Sequence, residues 1–419
     1  MNFKRKFWLA QHRTDVYKYG TILSLILIVT ISIIYFTYSK FSSSNEMTMY
    51  DTTVEPSSKN NDFIASYIDG EWSNEIPGKN DGYVVDKIVC DNGATGTWDN
   101  DEWGINIRNA TKKIKCSVFF IVKPLSAAEK ITTLATTDTT NFATDDPDNN
   151  IRYIGANPNN YVYFNCSDYS NQSDSTCEKW RIIGVFKNMT KEDGSKEDLV
   201  KIIRDDSLGN IAWDSNNVND WSKASLQTTL NGEYYNGTYT TGALKNDSTR
   251  NAIESVVWNL GGTASYTSAS NGLASHFYGY ERGTTVYSGS PTTWPGRIAL
   301  MYPSDYGYAT SGNSTTDRAA CLAKELYNWD GSDVSDCKNN DYLFKSSYPQ
   351  WTLAPYSSVS NGTFGVGSPG YVANYRANYV YFVRPVAFLK SNISITDVGN
   401  GTSESPYQLL LTDSFSKPL

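Results

Sequence analysis

The longest apolar run of the chain lies near its N-terminus. Residues 20–39 carry no charge and are apolar apart from one glycine and a few hydroxyl side chains. Twenty helical residues rise about 30 Å, which is the hydrocarbon thickness of a bilayer. Five of the six charged residues in 1–19 are basic, so the positive-inside rule places the N-terminus in the cytoplasm. The pattern predicts a basic cytoplasmic segment over 1–19 and a single transmembrane helix over 20–39, with the rest of the chain extracellular.

A cleaved signal peptide is the alternative interpretation of this run. The apolar core of a signal peptide usually has about 7–15 residues and ends at a cleavage site of small residues. The run here is longer and leads into Tyr38-Ser39-Lys40-Phe41 instead of small residues. We therefore expect a retained signal anchor in the cell membrane.

Polar stretches and strand-like runs alternate in the residues that follow the anchor. Residues 40–69 are rich in Ser, Thr and Asn, which predicts a linker. Apolar runs bounded by turn residues predict three strands in residues 70–125, a small all-β domain. These strands are predicted at 83–90, 104–108 and 114–123. Residues 126–155 are polar again and predict a second linker.

Residues 156–412 combine strand-like and helix-like patterns, which predicts one α+β domain followed by a tail over 413–419. Strands are predicted at 161–166, 179–186, 199–204, 297–302 and 380–389. Helices are predicted at 224–235, 248–260 and 317–329. The two kinds of element do not alternate regularly, which argues against a doubly wound parallel sheet.

All six cysteines follow the predicted anchor. An even number of cysteines outside the cell indicates disulfide bonds, and the C-x-x-C pairs typical of zinc sites are absent from the sequence. We choose the local pairing because it closes short loops. The predicted bridges are Cys90–Cys116, Cys166–Cys177 and Cys321–Cys337.

The acidic balance of the chain limits its partners. The formal net charge is −8, which argues against nucleic-acid binding. The sequence has two histidines, His12 and His276, too few for a histidine-rich metal site. The acidic run at 145–150 lacks the spacing of an EF-hand and is interpreted as part of a solvated linker instead of a calcium loop. We expect no cofactor and no metal.

Several strings in the α+β region resemble an uncharacterised family of bacterial cell-surface proteins with a domain of unknown function. The resemblance covers residues 155–412. It is carried by the strings at 180–186 (WRIIGVF), 204–213 (RDDSLGNIAW), 219–221 (NDW), 230–235 (LNGEYY), 351–355 (WTLAP), 383–386 (VRPV) and 399–408.

That family looks similar in layout to C-type-lectin-like domains, the group that includes formylglycine-generating enzymes. The resemblance implies an α+β domain with a twisted antiparallel sheet, flanking helices and long surface loops, and it carries no function with it. Asn328-Trp329-Asp330 resembles the calcium-binding motifs of sugar-binding C-type lectins only loosely, so calcium-dependent sugar binding is not predicted. Cys321 and Cys337 are more simply a structural bridge than a catalytic pair.

A stretch rich in Tyr, Asn and Ser, residues 356–382, is the strongest candidate for ligand recognition. Tyrosine gives a large amphipathic contact at low entropic cost, while Ser and Asn adapt their hydrogen bonds. A lectin-like fold would carry a surface loop here. The composition of the whole chain is similar, however, so the stretch is not unique. The predicted ligand-binding residues are Tyr356, Asn361, Tyr371, Asn374, Tyr375, Arg376, Asn378, Tyr379 and Tyr381.

Three other sets of residues have suggestive chemistry. His276 would need an orienting carboxylate to act as a base, and Glu281 is near in sequence. Glycoside hydrolysis needs two carboxylates, which an acidic chain also brings together by chance. The candidates are Asp205, Asp206, Asp214, Asn219 and Asp220. Arg384 lies in an apolar strand pattern and must be paired if it is buried. Structural roles are favoured for all three sets.

The sequence therefore predicts a membrane-anchored extracellular protein that is not an enzyme. Its lectin-like head would bind an extracellular protein or glycan, as an adhesion module does. An extracellular enzyme that acts on cell-wall glycans is one alternative. A structural component of a surface appendage or envelope machine is the other.

Overall fold

The computed structural model describes residues 46–49, 63–68, 70–73, 75–110 and 113–411. In this part of the chain, one compact unit ends at Lys123 and a second begins at Pro124. The predicted cytoplasmic segment, transmembrane helix and tail (1–19, 20–39 and 413–419) lie outside the described residues. Among the residues that are described, no helix has the length and apolar character needed to cross a bilayer.

The first unit is built from β-strands. They are β1 (Glu46–Met49), β2 (Phe63–Ile68), β3 (Glu71–Ser73), β4 (Tyr83–Cys90), β5 (Thr95–Asp99), β6 (Gly104–Arg108) and β7 (Lys115–Val122). They form a three-stranded sheet of order β1-β6-β5 and a four-stranded sheet of order β3-β2-β7-β4. Alternate residues of β7, Cys116, Val118 and Phe120, are buried in the core of the unit.

The predicted linker over 40–69 contains two of these strands and is therefore wrong over their length. β2 pairs in parallel with β7, from Phe63 opposite Lys115 to Ile68 opposite Phe120. β1 pairs with β6. The apolar residues of the short run 63–68 find a partner strand distant in sequence, which a polar average over 30 residues conceals.

The second unit contains seventeen strands in the described residues. They are β8 (Phe142–Ala143), β9 (Ile151–Tyr153), β10 (Tyr161–Phe164), β11 (Glu178–Thr190), β12 (Lys196–Arg204), β13 (Asn210–Ala212), β14 (Ile253–Glu254), β15 (Val256–Asn259), β16 (Thr293–Gly296), β17 (Ile298–Ala299), β18 (Gln350–Pro355), β19 (Gly362–Val366), β20 (Val372–Arg376), β21 (Val380–Phe382), β22 (Val386–Leu389), β23 (Ser394–Ile395) and β24 (Leu409–Leu410).

Short helices connect these strands. They are α1 (Ala127–Ala135), α2 (Ser225–Thr229), α3 (Asp247–Asn251), α4 (Ala274–Glu281), α5 (Pro303–Tyr308), α6 (Arg318–Leu322) and α7 (Ser335–Asn339). A π-helical turn over Leu230–Tyr234 continues α2, and 3₁₀ turns lie at Trp221–Lys223, Leu326–Asn328 and Ser332–Val334.

Two larger sheets organise the second unit. The eight-stranded sheet has the order β14-β22-β12-β11-β9-β8, with β10 added beside β11 and β17 beside β22. The five-stranded sheet has the order β13-β21-β18-β19-β20. Their strand pairs are antiparallel except for β18 with β21. The predicted α+β class is therefore confirmed, with sheets as the dominant element.

The linker predicted over 126–155 is wrong, because these residues form α1, β8 and β9 of the second unit. Ser126 caps α1, and its side chain and that of Glu129 each accept a backbone N–H of the other, forming a capping box. Ile131 of α1 is fully buried. β9 pairs with β11, and all three of its residues are buried. The apolar residues are few but regularly placed, and composition alone does not show this.

Two predicted helices are shorter than their apolar spacing indicates. The helix predicted at 248–260 ends with α3, and the chain continues as β14 and β15. Ile253 and Val256 are β-branched, which favours strands. Both are buried, Ile253 in β14 and Val256 in β15. The helix predicted at 317–329 stops with α6 and resumes as a 3₁₀ turn.

The three predicted disulfides are confirmed. They are Cys90–Cys116, Cys166–Cys177 and Cys321–Cys337. The first joins directly paired residues of β4 and β7. The third joins α6 to α7.

Replacing Cys321 and Cys337 together by serine is expected to lower the free energy of unfolding of the second unit by about 3 kcal/mol. The bridge spans 16 residues, and its loss frees the unfolded chain to explore more conformations. Urea unfolding of a fragment covering 124–414 measures the change. An unchanged unfolding midpoint would show that the bridge adds nothing to stability.

Candidate functional site

The predicted ligand-binding stretch forms strands instead of a surface loop. Residues 356–382 contain β19, β20 and β21, and every residue of β19 is buried. Each residue of β20 pairs with one of β19, from Gly362 opposite Arg376 to Val366 opposite Val372. Tyrosine is favoured in strands as well as in recognition loops. The loop prediction is wrong, and each residue has to be judged by the sheet face on which it lies.

One face of the five-stranded sheet collects aromatic side chains. Gly365 of β19 pairs with Trp351 of β18 and with Ala373 of β20. Side chains alternate between the faces of a strand, so Tyr375 lies on the same side as Trp351. The ring centroid of Tyr381 lies 4.6 Å from that of Trp351 and 5.0 Å from that of Tyr375. The cluster therefore spans β18, β20 and β21.

Two further tyrosines extend the cluster at its margins. The ring of Tyr379 lies 6.2 Å from that of Tyr381. Tyr371 is hydrogen-bonded through its side chain to Tyr375. We call these four residues, Tyr371, Tyr375, Tyr379 and Tyr381, the tyrosine face. Tyr379 is 46% exposed and the others are half-buried, whereas Trp351 beneath them is 2% exposed.

Two glycines of the sheet make room for these rings. A Cβ at Gly365 would lie 3.3 Å from the ring of Tyr375. A Cβ at Gly367 would lie 2.9 Å from the hydroxyl of Tyr375 and 3.1 Å from the ring of Tyr371. The tyrosines can therefore lie close to the backbone, and their outer surfaces remain available.

Two hydroxyls of the tyrosine face, those of Tyr375 and Tyr381, are neutral at physiological pH. Burial raises the pKa of Tyr381 to about 12, with a contribution from the neighbouring hydroxyls of Tyr379 and Tyr371. Burial and the hydrogen bond to Tyr371 raise the pKa of Tyr375 further. A neutral phenol both donates and accepts hydrogen bonds. The face thus combines apolar rings with uncharged polar groups.

Two predicted residues belong to the opposite side of the sheet. The ring of Tyr356 packs 5.9 Å from those of Tyr266 and Phe364. The side-chain amide of Asn374 donates to the hydroxyl of Tyr266 at 2.7 Å. Phe364 in turn packs against Phe277 of α4, so this side of the sheet faces the core. Tyr356 and Asn374 are therefore separate from the tyrosine face.

The other three predicted residues lie at the ends of the strands. Arg376 and Asn378 are exposed and flank the turn between β20 and β21. Asn361 is half-buried, and its carbonyl accepts the N–H of Ala377 at 2.8 Å. The turn before β19 is held by Asn219, whose amide donates to three backbone carbonyls at 2.8–3.0 Å. Asn219 is one of the candidates for glycoside hydrolysis, but these contacts give it a structural role.

A buried charge network lies in the eight-stranded sheet. Asp305 of α5 binds Lys201 of β12 and lies 3.0 Å from Arg152 of β9, and Arg152 binds Asp146 at 2.6 Å. All four side chains are at most 2% exposed. Burial opposes ionisation of Asp305, but the two cations offset it and hold the pKa of Asp305 below its usual value. The sequence signal for this network was Lys201, a single charge in the apolar run at 199–203.

Glu281 lies beside this network and sets an expected pH dependence. Burial raises the pKa of Glu281 from 4.5 to about 7, against the pull of Arg282 and of its hydrogen bonds from Ser304. The folded state therefore holds the proton more tightly than the unfolded state does. The stabilisation, about 3 kcal/mol, is full below pH 4.5 and is lost as the pH rises to 7.

We expect Glu281→Gln to remove this pH dependence. Urea unfolding of the 124–414 fragment at pH 5 and pH 7.5 gives the difference between wild type and variant at each pH. The wild type should gain stability relative to the variant at pH 5. The exposed Glu233→Gln serves as control and should leave the pH dependence as it is. A variant whose stability follows the wild type at both pH values would refute this.

Arg384 is buried and paired, which confirms the structural role predicted for it. Its guanidinium donates to the carbonyls of Arg204 and Leu343, and Asp205 lies 3.7 Å away. Asp205 also binds Lys345 at 3.1 Å. One carboxylate thus joins β12 to the chain before β18 and β22. These contacts give Asp205 a structural role.

The other candidate catalytic residues are also engaged in local structure. Nδ1 of His276 accepts the N–H of Leu273 at the start of α4, and the carboxylate of Glu281 accepts hydrogen bonds from Ser304. Asp214 accepts the N–H groups of Val218 and Ser225. Glu281 is therefore directed toward Ser304 and does not orient His276.

Aspartates of the acidic run at 145–150 likewise form ion pairs with arginines. Asp145 binds Arg318 at 2.7 Å, and Asp146 binds Arg152. Across the described ranges, no group of three or more His, Cys, Asp or Glu side chains is arranged to hold a metal ion.

Three residues beneath the tyrosine face are absent from the predicted site. Trp351, Gly365 and Gly367 decide where the tyrosines lie, and none was predicted as part of the site. The signal was the T-F-G-V-G pattern at 363–367, in which glycine alternates with larger residues.

Comparisons of the chain with protein families, characterised proteins and solved structures found no match.

Proposed function

We propose that this chain is a membrane-anchored extracellular protein whose second unit is a non-enzymatic, lectin-like adhesion module that binds a glycan. The observation that carries the proposal is the tyrosine face. Four tyrosines share one side of a sheet, with Tyr379 and Tyr381 in ring contact at 6.2 Å and Tyr375 and Tyr381 at 5.0 Å.

The chemistry of this face suits a neutral sugar. A sugar ring presents apolar C–H groups on its faces and hydroxyls around its edge. The tyrosine rings provide apolar contact, and the neutral hydroxyls of Tyr375 and Tyr381 provide hydrogen bonds beside it. Trp351 supports the rings from below, so little conformational entropy is lost when a ligand binds.

The proposed location follows from the cysteines and the N-terminal sequence. All six cysteines are paired in disulfides, which persist in oxidising compartments such as the cell exterior. The apolar run at 20–39 supplies the proposed anchor in the cell membrane. Together they support a module displayed outside the cell.

The proposed lectin-like layout is supported by the organisation of the second unit. Its sheets are mainly antiparallel and its helices are short. Near the start of the unit, Ser126 forms a bridge with Ser394 of β23, and β23 pairs with β24 at the end of the unit. Tyr163 of β10 donates its N–H to the carbonyl of Tyr407 near the end of the unit. We propose on the same basis that the family resemblance of residues 155–412 is real.

A glycan array combined with a protein pull-down tests the function. The full-length protein, purified in detergent, should bind a group of neutral glycans, and Tyr379→Ala should weaken that binding while Tyr287→Ala, at another exposed tyrosine, should not. If no glycan on the array bound and the pull-down captured a specific protein, the result would contradict glycan binding and favour a protein ligand. Turnover of a glycan would favour the enzyme alternative, and stable co-purification with envelope proteins the structural one.

A further inference from the structure

The four-stranded sheet of the first unit turns one face toward the core and the other away from it. Alternate residues of β7 are buried, so the residues between them, Ser117, Phe119 and Ile121, lie on the opposite side, which we call the outer face. β4 adds Val84 opposite Ile121 and Val89 opposite Ser117. Val89 is 53% exposed, and the other apolar residues are half-buried. Contiguous exposed apolar surface of this kind marks a site of interaction.

Three aromatic side chains cross the outer face in a row. Trp72 of β3 lies opposite Tyr67 of β2, which lies opposite Phe119 of β7. Neighbouring ring centroids are 5.1 Å apart in both contacts. Lys87 of β4, opposite Phe119, places its ammonium 4.6 Å from the centre of that ring. We call the three rings the aromatic row; Trp72, at its outer end, is 63% exposed.

The geometry of the aromatic row favours a deformable apolar partner over a glycan. Neighbouring rings are inclined by 75° and 54°, so they do not form one flat surface on which sugar rings could stack. Trp and Tyr each join an apolar ring to a polar group, a combination enriched where the hydrocarbon of a bilayer meets water. A lysine beside such rings can extend its ammonium to a lipid phosphate while its methylene groups stay on apolar surface. These residue types are therefore those of a membrane interface.

The chain between the predicted anchor and the first unit is short. Residues 40–45 separate the predicted transmembrane helix from β1, and even a fully extended chain of this length spans at most about 25 Å. A compact unit of about 80 residues is itself about 30 Å across. An anchor at 20–39 would therefore hold the first unit against the bilayer surface, where its outer face can reach the headgroups.

We propose that the outer face of the four-stranded sheet docks on the surface of the bilayer that carries the anchor. Trp72 and Tyr67 lie at the level of the headgroups, with Lys87 bound to a lipid phosphate. The two valines and Ile121 contact the upper part of the acyl chains. The inference rests on the membrane anchor of the proposed function, and it does not involve the tyrosine face, which belongs to the second unit.

Spin labelling of the full-length protein in vesicles of phosphatidylethanolamine and phosphatidylglycerol tests the proposal. All six native cysteines are in disulfides, so a cysteine introduced by Trp72→Cys or, as control, by Glu102→Cys takes up a nitroxide selectively. Oxygen concentrates in the bilayer, whereas a nickel complex added to both sides stays in water. The ratio of oxygen to nickel accessibility should be at least fivefold higher at position 72 than at position 102, an exposed site between β5 and β6.

Two results at position 72 would overturn the proposal. A nitroxide open to the nickel complex would place the outer face in water, and one shielded from both reagents would show that protein covers the face, such as a second copy of the chain. An alkaline carbonate wash separates these failures from a failure of the anchor. A protein that stays with the vesicles and gives either result loses only the docking, whereas a protein that washes off loses the anchor and the docking together.

A charge on the outer face should undo the docking. Val89→Glu adds a carboxylate at an exposed position, and hydrocarbon excludes charged groups. In the protein labelled at position 72, this substitution should raise the nickel accessibility at least threefold. Thr97→Glu adds the same charge at an exposed position of β5, in the other sheet of the unit, and should leave the accessibility unchanged. Equal nickel accessibility with and without Val89→Glu would exclude the outer face as the docking surface.

Discussion

Asp305→Asn should lower the free energy of unfolding of the second unit by about 3–5 kcal/mol, because it leaves two buried cations without their shared carboxylate. Asp305 binds Lys201, and its other oxygen lies 3.0 Å from Arg152. It also accepts the backbone N–H of Tyr302 at 2.8 Å. An amide cannot balance the charge of Lys201, which would have to be buried uncompensated or deprotonated, and Arg152 would keep only Asp146 as its partner. Urea unfolding of the 124–414 fragment measures the loss.

An exposed ion pair of the same unit provides the matched control. Asp397 binds Lys130 at 2.7 Å, but its side chain is 95% exposed. Water solvates both charges when such a pair is broken, so Asp397→Asn should lower the stability far less than Asp305→Asn does. Equal effects of the two substitutions would show that the Asp305 network adds no more to stability than a surface pair.

Replacing Tyr375 and Tyr381 together by alanine should weaken glycan binding at least 100-fold. Each ring contributes a stacking surface, and a tenfold loss per ring corresponds to about 1.4 kcal/mol. The two rings touch each other and Trp351, so the double substitution removes the centre of the face. Titration of the glycan identified on the array measures the affinity.

Two further variants separate the causes of that loss. Tyr381→Phe keeps the ring and removes only the hydroxyl, so it should lose less than Tyr381→Ala. Tyr287→Ala removes an exposed tyrosine in a turn elsewhere and should bind as the wild type does. The near-ultraviolet circular dichroism of each variant verifies folding. Wild-type affinity in a folded double variant would exclude the tyrosine face as the binding surface.

Local pattern predicts the strands of this protein better than it predicts the segments between them. The apolar runs at 83–90 and 104–108 coincide with β4 and β6. Residues 126–155 fail because only a few apolar side chains, such as Ile131, anchor an otherwise polar segment. The run at 248–260 fails because its apolar spacing fits a helix, whereas Ile253 and Val256 complete sheets whose other strands are distant in sequence.

The sequence predicts the stretch that holds the candidate site but not which of its residues share a face of the sheet. Tyrosine enrichment marks the correct stretch, and four of the nine predicted residues share the tyrosine face. Composition cannot show that Tyr356 and Asn374 turn toward Tyr266, because that depends on strand register. It also cannot show that Gly365 places Tyr375 close to the backbone. Register and close approach are set by pairing across the sheet.

Hydroxyl-radical footprinting with the array glycan bound is the most direct measurement of where a ligand lies. The full-length protein is oxidised with and without the glycan, and the oxidised side chains are located by mass spectrometry. Our account predicts strong protection of Tyr379 and Tyr381 and unchanged oxidation of Tyr287 and Tyr348, both of which are exposed. Protection confined to residues outside the tyrosine face, with Tyr379 and Tyr381 oxidised as in the free protein, would contradict it.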